Sequence, residues 1–228
     1  MKNCIVLSGE YRSFPKTKEN LKRFIDKNEL DVYCHIWSTN QEEIDDIKQS
    51  LNPKIILAED YEQYKKNFDK IEKNIKKKNP KNSTIDNLSN NASMNYGRKK
   101  AFDLVDGQYD LLVYSRFDIA FSNIFSLVEI DRMQTPTEES YNIISDIFCI
   151  TPFEYAKYFF IYDVYEKLHS TRFEPLFDEY LRYTKVYGED NIQIHADERY
   201  CPHMVLLRNI FNNKVPHEEV YIPVRIQR

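Results

Sequence analysis

The sequence is short of glycine. Only four of its 228 residues are glycine, and only Gly9 lies in Leu7–Phe14, the stretch that follows the first predicted strand. This stretch therefore contains neither the G-x-G-x-x-G pattern of a dinucleotide-binding loop nor a glycine-rich P-loop with its lysine. Both of these common ways of cradling a phosphate are excluded at that position.

Cysteine pairs and long apolar runs are also missing. The four cysteines are Cys4, Cys34, Cys149 and Cys201, and no two of them form a C-x-x-C pair, which excludes a zinc ribbon or a dithiol redox centre. The first three lie in apolar runs and are expected to be buried in a protein from a reducing compartment. No apolar run approaches the roughly 20 residues of a membrane span.

An excess of positive charge is missing as well. The net charge is −4 and the sequence pI is about 5.8, which argues against nucleic-acid binding as the main task. The exception is the lysine-rich stretch 65–81, interpreted either as a solvated helix face or as a basic flap over an anionic substrate. The short apolar start does not fit a signal peptide, so we expect a cytoplasmic protein.

What the sequence does have is an alternation of short apolar runs and helical periodicity. The 42% apolar content is enough for one large core without a disulfide or metal. Because strands that alternate with helices form parallel sheets with right-handed crossovers, we predict an α/β fold with a mostly parallel central sheet flanked by helices. The predicted strands are Cys4–Leu7, Asp31–Trp37 and Lys54–Leu57, and the predicted helices are Lys16–Lys27 and Gln41–Leu51.

The remainder is predicted to belong to the same single domain, 1–228. Residues 1–60 and 93–160 would form the core, 61–92 a mobile Lys/Asn-rich insertion, and 161–228 a largely helical part. The further predicted elements are helix Asn95–Val105, strand Tyr109–Ser115, strand Asn142–Thr151, helices Pro152–Leu168, Phe173–Tyr183 and Asp197–Phe211, and a short strand Val220–Ile226.

Two segments follow predicted strands, where open parallel sheets bind ligands. The first holds Ser8, Gly9, Tyr11 and Arg12; the glycine permits close backbone approach, and the arginine can pair with a phosphate. The simpler interpretation is a plain turn with a surface arginine.

The second segment ends the clearest strand in Arg116-Phe117-Asp118. Residues 116 and 118 would point to the same side, so that a carboxylate able to hold Mg²⁺ or Mn²⁺ lies beside a guanidinium. The alternative is an ion pair that closes the strand end.

Four further residues are candidates. Asp146 interrupts an apolar strand and is interpreted as a base or sugar ligand, or as a structural partner of an arginine. Glu198 could face the cleft, Arg98 is predicted near a helix start that suits a phosphate, and Trp37 could stack on a base or anchor the core.

Four segments together resemble a GT-A-type glycosyltransferase, specifically the small capsular- and lipopolysaccharide-type sugar transferases of polysaccharide biosynthesis. They are LSGEYRSF (Leu7–Phe14), DVYCHIWS (Asp31–Ser38), GRKKAFDLVDGQYDLLVYSRFDIAF (Gly97–Phe121) and SDIFCITPFEYAKYF (Ser145–Phe159). The resemblance implies a Rossmann-like GT-A fold, a nucleoside diphosphate-sugar donor, a glycan acceptor, and a D-x-D element that binds Mn²⁺ or Mg²⁺.

The D-x-D element departs from the family pattern. Asp118 matches its second carboxylate, whereas Arg116 replaces the first, so the metal is held by Asp118 alone or the arginine partly takes its place. The resemblance assigns donor binding to Ser8, Gly9, Tyr11, Arg12, Arg98 and Arg116, and catalysis to Asp146 and Glu198. The alternatives are a non-catalytic relative that binds a glycan or partner, and another nucleotide-binding α/β transferase.

Overall fold

The computed structural model describes residues 1–78, 88–137, 145–160, 206, 209–210 and 213–227. Within them the strands are β1 Asn3–Glu10, β2 Asp31–Trp37, β3 Ile55–Glu59, β4 Leu111–Arg116, β5 Ile119–Phe121, β6 Met133–Pro136, β7 Phe148–Pro152, β8 His217–Val220 and β9 Val224–Ile226. The helices are α1 Phe14–Lys27, α2 Gln41–Leu51, α3 Tyr61–Lys78, α4 Leu88–Asp103 and α5 Phe153–Phe159.

Seven strands form the central sheet, in the order β3-β2-β1-β4-β7-β6-β8. β7 is antiparallel to β4 and β6, and the remaining pairings in this sheet are parallel. β5 and β9 form a separate antiparallel pair. The predicted α/β class, with a mostly parallel, Rossmann-like sheet, is confirmed.

β1 shows why its apolar run is continuous. Ile5 and Leu7 pack in one cluster with α1 and α2, whereas Cys4 and Val6 pack in the other with α4 and α5. All four side chains are fully buried. Because both faces of the sheet are covered by helices, successive side chains of β1 are apolar rather than alternating with polar ones.

β1 extends three residues beyond the predicted Cys4–Leu7, to Glu10. The polar residues Ser8, Gly9 and Glu10 ended the apolar pattern, but they continue the parallel ladder to the end of β2, where Glu10 pairs with Trp37. Backbone pairing therefore carries polar residues onto the site edge of the sheet.

α4 begins at Leu88, not at the predicted Asn95. Its first turns bury small or polar residues, Ala92, Ser93 and Asn95, so they carry no apolar periodicity. Residues 88–92, assigned from the sequence to the insertion 61–92, are thus helical. The first part of that insertion, Tyr61–Lys78, is helix α3.

The later elements also differ from the predictions. Strand β7 begins at Phe148, and Asp146 lies before it rather than inside it; residues 142–144 of the predicted strand lie outside the described residues. Of the predicted helix Pro152–Leu168, α5 covers Phe153–Phe159, and residues 161–168 lie outside the described residues. β5, β6 and β8 were not predicted as separate strands, and the predicted strand Val220–Ile226 is divided between the end of β8 and β9. The predicted helix Phe173–Tyr183 and nearly all of Asp197–Phe211 lie outside the described residues.

In the described part of the chain, no helix is both long enough and apolar enough to cross a bilayer.

Candidate functional site

A cleft of about 280 Å³ lies at the carboxyl ends of β1, β2 and β4. The parallel register pairs Ser8 with Arg116 and Glu10 with Trp37, so the ends of these three strands meet at one level of the sheet. This is the edge at which open α/β sheets bind ligands. The cleft lies beside both segments singled out from the sequence, and that it binds a ligand stays a prediction.

The end of β1 brings backbone to the floor of the cleft. Gly9 has a φ of 140°, which side chains with a Cβ rarely adopt, and the nearest heavy atom to a Cβ there would be a carbon of Phe117 at 3.9 Å. The constraint at Gly9 is therefore conformational, not steric. Ser8 also lines the cleft, and its hydroxyl is 3.1 Å from the Tyr114 hydroxyl, with both residues buried.

Arg12 and Tyr11 follow β1 in a one-turn 3-10 helix, Tyr11–Ser13. Arg12 lines the cleft, and its exposed side chain lies 3.4 Å from the Glu10 carboxylate. The Tyr11 hydroxyl instead donates to Asp46 at 2.7 Å, and burial together with that carboxylate raises the pKa of Tyr11 to about 12. Tyr11 is not among the residues that line the cleft.

Arg116 and Asp118 form a bidentate ion pair. The guanidinium donates from Nε to Oδ1 at 2.9 Å and from Nη2 to Oδ2 at 2.5 Å, and both side chains are largely buried. Burial by itself would lower the pKa of Arg116, but the Asp118 charge raises it, so the guanidinium stays protonated. The ion-pair interpretation of this segment is the arrangement present in the structure.

The turn that carries Asp118 is fixed from two sides. The Thr17 hydroxyl on α1 donates to the Phe117 carbonyl at 2.5 Å, and the Gln227 N–H donates to the Asp118 carbonyl at 2.7 Å. Gln227 also borders a second cavity of about 320 Å³, whose lining is Arg12, Ser13, Arg116, Asp118, Ile226 and Gln227. The Arg116–Asp118 pair therefore lies where two cavities meet.

Aromatic side chains form one wall of the cleft. Trp37 is stacked on Tyr96 with ring centroids 5.5 Å apart, and its centroid is 5.6 Å from that of Tyr61 and 5.1 Å from that of Tyr64. Trp37 and Tyr61 both line the cleft. Trp37 is thus an anchor between β2, α3 and α4, and it also borders the space where a ring could stack.

A buried polar contact supports that wall. His35, fully buried, has Nε2 2.8 Å from the Glu59 carboxylate, and Tyr96 donates to the other Glu59 oxygen at 3.1 Å. The hydrogen bond from His35 lowers the pKa of Glu59. Gly97 lies against these rings: a Cβ on it would come 2.9 Å from His35 Nδ1 and 3.3 Å from Trp37 Nε1.

α4 contributes a face that was missed from the sequence. The residues of α4 that line the cleft are Asn90, Ser93, Met94 and Gly97. Their spacing of three, four and seven residues is that of one helix face. Because three of them are small or polar, a search for apolar periodicity passed over them. Glu10, Tyr61 and Phe117 were likewise not predicted as site residues, although all three line the cleft.

Arg98 and Asp146 lie behind the cleft rather than in its lining. Arg98 is fully buried, donates to the Asn95 side chain, and has its guanidinium carbon 4.8 Å from the Phe159 ring centroid and 5.7 Å from that of Tyr114. It is not at the helix start, as predicted, because α4 begins ten residues earlier, at Leu88. Its Nη1 donates to the Asp146 carbonyl at 3.5 Å.

Asp146 itself is buried, and its charge contributes to the raised pKa of Arg116. Because β7 is antiparallel to β4, the residues just before β7 lie near the carboxyl end of β4. Glu198 and the neighbouring His195, Asp197 and His203 lie outside the described residues.

The side chains that the structure describes around the cleft do not form a ready set of ligands for a divalent metal ion. Within the described ranges, no group of three or more His, Cys, Asp and Glu side chains is arranged to hold a metal ion. The carboxylates lining the cleft are those of Glu10 and Asp118, and each is paired with an arginine. Both Asp118 oxygens, one of which a metal ion would need, already accept hydrogen bonds from Arg116.

No family model matches the sequence, and no curated protein matches it. Solved structures are similar to it at low identity. One is the glycosyltransferase GlyE of Streptococcus pneumoniae TIGR4, with 12% identity, a TM-score of 0.43 and coverage of 96% of this chain and 45% of GlyE. The chain thus spans less than half the length of GlyE.

Two further structures are of similar likeness. A protein from Desulfovibrio desulfuricans G20, described as a nucleotide-diphospho-sugar transferase, shows 12% identity and a TM-score of 0.41, covering 97% of this chain and 80% of that one. Mouse xyloside xylosyltransferase 1 shows 7% identity and a TM-score of 0.41, with 96% and 85% covered. All three likenesses have TM-scores below 0.5 and identities of 12% or less.

Proposed function

We propose that this protein is a glycosyltransferase that moves a sugar from a nucleoside diphosphate-sugar to a hydroxyl group of a glycan acceptor. The observation that carries the proposal is the cleft at the ends of β1, β2 and β4, which combines an aromatic wall with a fixed guanidinium. A nucleoside diphosphate has a flat base that matches the aromatic wall and a negatively charged diphosphate that matches the guanidinium.

The donor would lie along the cleft. Its base would stack beside Trp37 and Tyr61, and the backbone at Gly9 would allow the ribose and phosphates to approach β1 closely. Its diphosphate would accept hydrogen bonds from Arg116 and from the exposed, reorientable Arg12. The second cavity, beyond the Arg116–Asp118 pair, would receive the acceptor.

The reaction would exchange one bond for another at the anomeric carbon. The acceptor oxygen forms the new bond to that carbon, and the bond from the carbon to the β-phosphate oxygen breaks, its electron pair leaving with the nucleoside diphosphate. Arg116 would stabilise the charge that develops on this leaving group. The acceptor proton would pass to a carboxylate. Of the two candidates from the sequence, Asp146 is buried and lines neither cavity, which favours Glu198, a residue outside the described ranges.

Binding and turnover together test the proposal. A donor present at about 100 times its Kd should stabilise the protein by about 2.7 kcal/mol, which is a readily visible rise in Tm. We would screen UDP-glucose, UDP-galactose, UDP-N-acetylglucosamine and GDP-mannose by melting, then measure release of the nucleoside diphosphate. If no donor raises the Tm, the proposal is wrong.

A non-catalytic relative is the second candidate, because Asp118 is engaged by Arg116 instead of being open toward the cleft. Such a protein would bind a glycan without releasing nucleoside diphosphate from any donor. Melting with oligosaccharides alone, in parallel with the donor panel, distinguishes the two candidates.

A further inference from the structure

The Arg116–Asp118 pair occupies the place where the family resemblance implies a metal ion. The guanidinium of Arg116 donates to both Asp118 oxygens, at 2.9 Å and 2.5 Å. A magnesium or manganese ion would have to bind one of these oxygens at about 2.0–2.6 Å. The ion and the guanidinium would then share one carboxylate at close range, and two positive charges would repel each other.

No other carboxylate of the cleft offers a metal ion an unpaired ligand. A single unpaired carboxylate would be enough, because Mg²⁺ commonly uses one or two carboxylates together with substrate phosphates. In the described residues of the cleft the other carboxylate is Glu10, whose side chain is about half exposed and lies 3.4 Å from Arg12. Neither cleft carboxylate is therefore free of a cationic partner.

Arg116 is well placed to act as the cation itself. Asp118 takes two of the five guanidinium N–H groups, which leaves three for a ligand. The side chain is largely buried, stays protonated, and borders both cavities. Thr17 and Gln227 hold the backbone of the turn, so the carboxylate that aims the guanidinium is itself fixed.

We propose that Arg116, aimed by Asp118, binds the diphosphate of the donor in place of a divalent metal ion. Arg116 is then the residue that contacts the ligand, and Asp118 is a positioning residue that acts through it. This inference rests on the proposed function, since it concerns the same donor, but it makes a separate claim: binding of the diphosphate needs no metal ion.

Calorimetric titration with UDP and GDP, each beside its monophosphate, tests the claim in excess EDTA and again in MnCl₂. For the wild-type chain, we expect the diphosphate Kd to change by less than about threefold between the two buffers. Because charge-assisted hydrogen bonds are strong, Arg116→Ala should weaken diphosphate binding by about 10- to 100-fold and weaken monophosphate binding much less. Loss of that preference for the diphosphate is a readout that general destabilisation would not produce.

Two more variants sharpen the test. Arg116→Asp gives the chain the two carboxylates of the D-x-D pattern, at positions 116 and 118, and its diphosphate binding should become dependent on MnCl₂. Asp118→Asn should weaken diphosphate binding equally in EDTA and in MnCl₂. The control is Arg132→Ala, because Arg132 forms an ion pair of the same kind with Asp131 at 2.8 Å, is exposed and does not line either cavity.

The outcomes separate the two proposals. Wild-type binding that appears only with MnCl₂ overturns the metal-free inference and leaves the glycosyltransferase proposal standing. Absence of binding by either diphosphate, and by every donor of the melting panel, in both buffers overturns the proposed function and the inference with it. If Arg116→Asp fails to fold, Arg116→Lys replaces it in the test, because lysine keeps the positive charge but lacks the two parallel N–H groups of arginine. In EDTA its affinity for the diphosphate must lie between those of the wild type and Arg116→Ala.

Discussion

Gly97 on α4 lies against His35 on β2 so closely that a Cβ on the glycine would come 2.9 Å from the histidine Nδ1. A glycine inside a helix ordinarily destabilises the protein by roughly 0.5–1 kcal/mol relative to alanine. Here the side chain that alanine would add has no room, because the two rings it meets are held by Glu59 and by aromatic neighbours.

Gly97→Ala should therefore destabilise the protein, by about 1–3 kcal/mol, despite the better helix propensity of alanine. Urea unfolding followed by far-UV circular dichroism measures the change. Lys99→Ala, on the same helix but outside this contact, should change the free energy of unfolding by under about 0.5 kcal/mol. A stabilised Gly97→Ala variant would mean that α4 and β2 are not so close.

Two of the arginines predicted to bind the donor, Arg98 and Arg12, should differ in how much stability the protein loses when each is replaced by alanine. Arg98 is fully buried against two aromatic rings, so Arg98→Ala should cost about 3 kcal/mol of stability through lost packing and unpaired neighbours. The Arg12 side chain is 71% exposed, so Arg12→Ala should change stability by no more than about 0.5 kcal/mol. Thermal and urea unfolding of both variants check this; equal losses would contradict the burial of Arg98.

A histidine far from the cleft should give the protein an acid-sensitive component of stability. Burial lowers the pKa of His217 from 6.5 to about 4, and its Nε2 lies 3.0 Å from the Thr135 hydroxyl. In the unfolded chain this histidine takes up a proton below pH 6.5, whereas in the fold it stays neutral until about pH 4. Its contribution to stability is therefore complete above pH 6.5 and is lost as the pH falls toward 4.

Urea unfolding across that pH range should show a decline of roughly 3 kcal/mol for the wild type, and His217→Gln should remove most of it. Carboxylates with lowered pKa values, such as Asp46 and Glu59, begin to lose their contribution as the pH falls toward their ordinary pKa values of 3.8 and 4.5, so the part of the range above about pH 5 reports on His217 most directly. An unchanged pH profile in His217→Gln would show that His217 is not the responsible group.

Trp37 offers a direct optical probe of the cleft, because it is the only tryptophan in the sequence and lines the cleft wall. A nucleoside diphosphate whose base stacks there should change its fluorescence, whereas inorganic pyrophosphate, which has no base, should bind near Arg116 and leave the emission nearly unchanged. A titration with UDP and with pyrophosphate compares the two, and Trp37→Phe should abolish the signal. An equal response to both ligands would contradict base stacking at this wall.

The parts of the fold that could be predicted are those whose signal is local. β2 was predicted at its observed bounds, because Asp31–Trp37 is a continuous apolar strand whose pattern does not depend on distant residues. The rule that ligands bind at strand ends pointed to the region of the cleft, and Arg116 and Asp118 are among the residues that line it; their roles in binding stay predictions.

What the sequence could not supply depends on partners far along the chain. The helical start of α4 is stabilised by contacts of small polar residues, which have no apolar periodicity. Arg98 was predicted at a helix terminus, yet it is buried beside Asp146, a residue 48 positions away. Nothing local distinguishes an arginine that faces a ligand from one that closes a core.

The reversed direction of β7 has a consequence for how such a site can diversify. The pairing of Phe148 with Ser115 brings the entrance of β7 to the same rim as the exits of β1 and β4. That rim is therefore built partly from chain that arrives at the sheet, not only from the crossovers that leave it. Insertions or exchanges just ahead of Phe148 would change the chain beside this rim without disturbing any parallel crossover, so the surroundings of the cleft can vary while the scaffold is preserved.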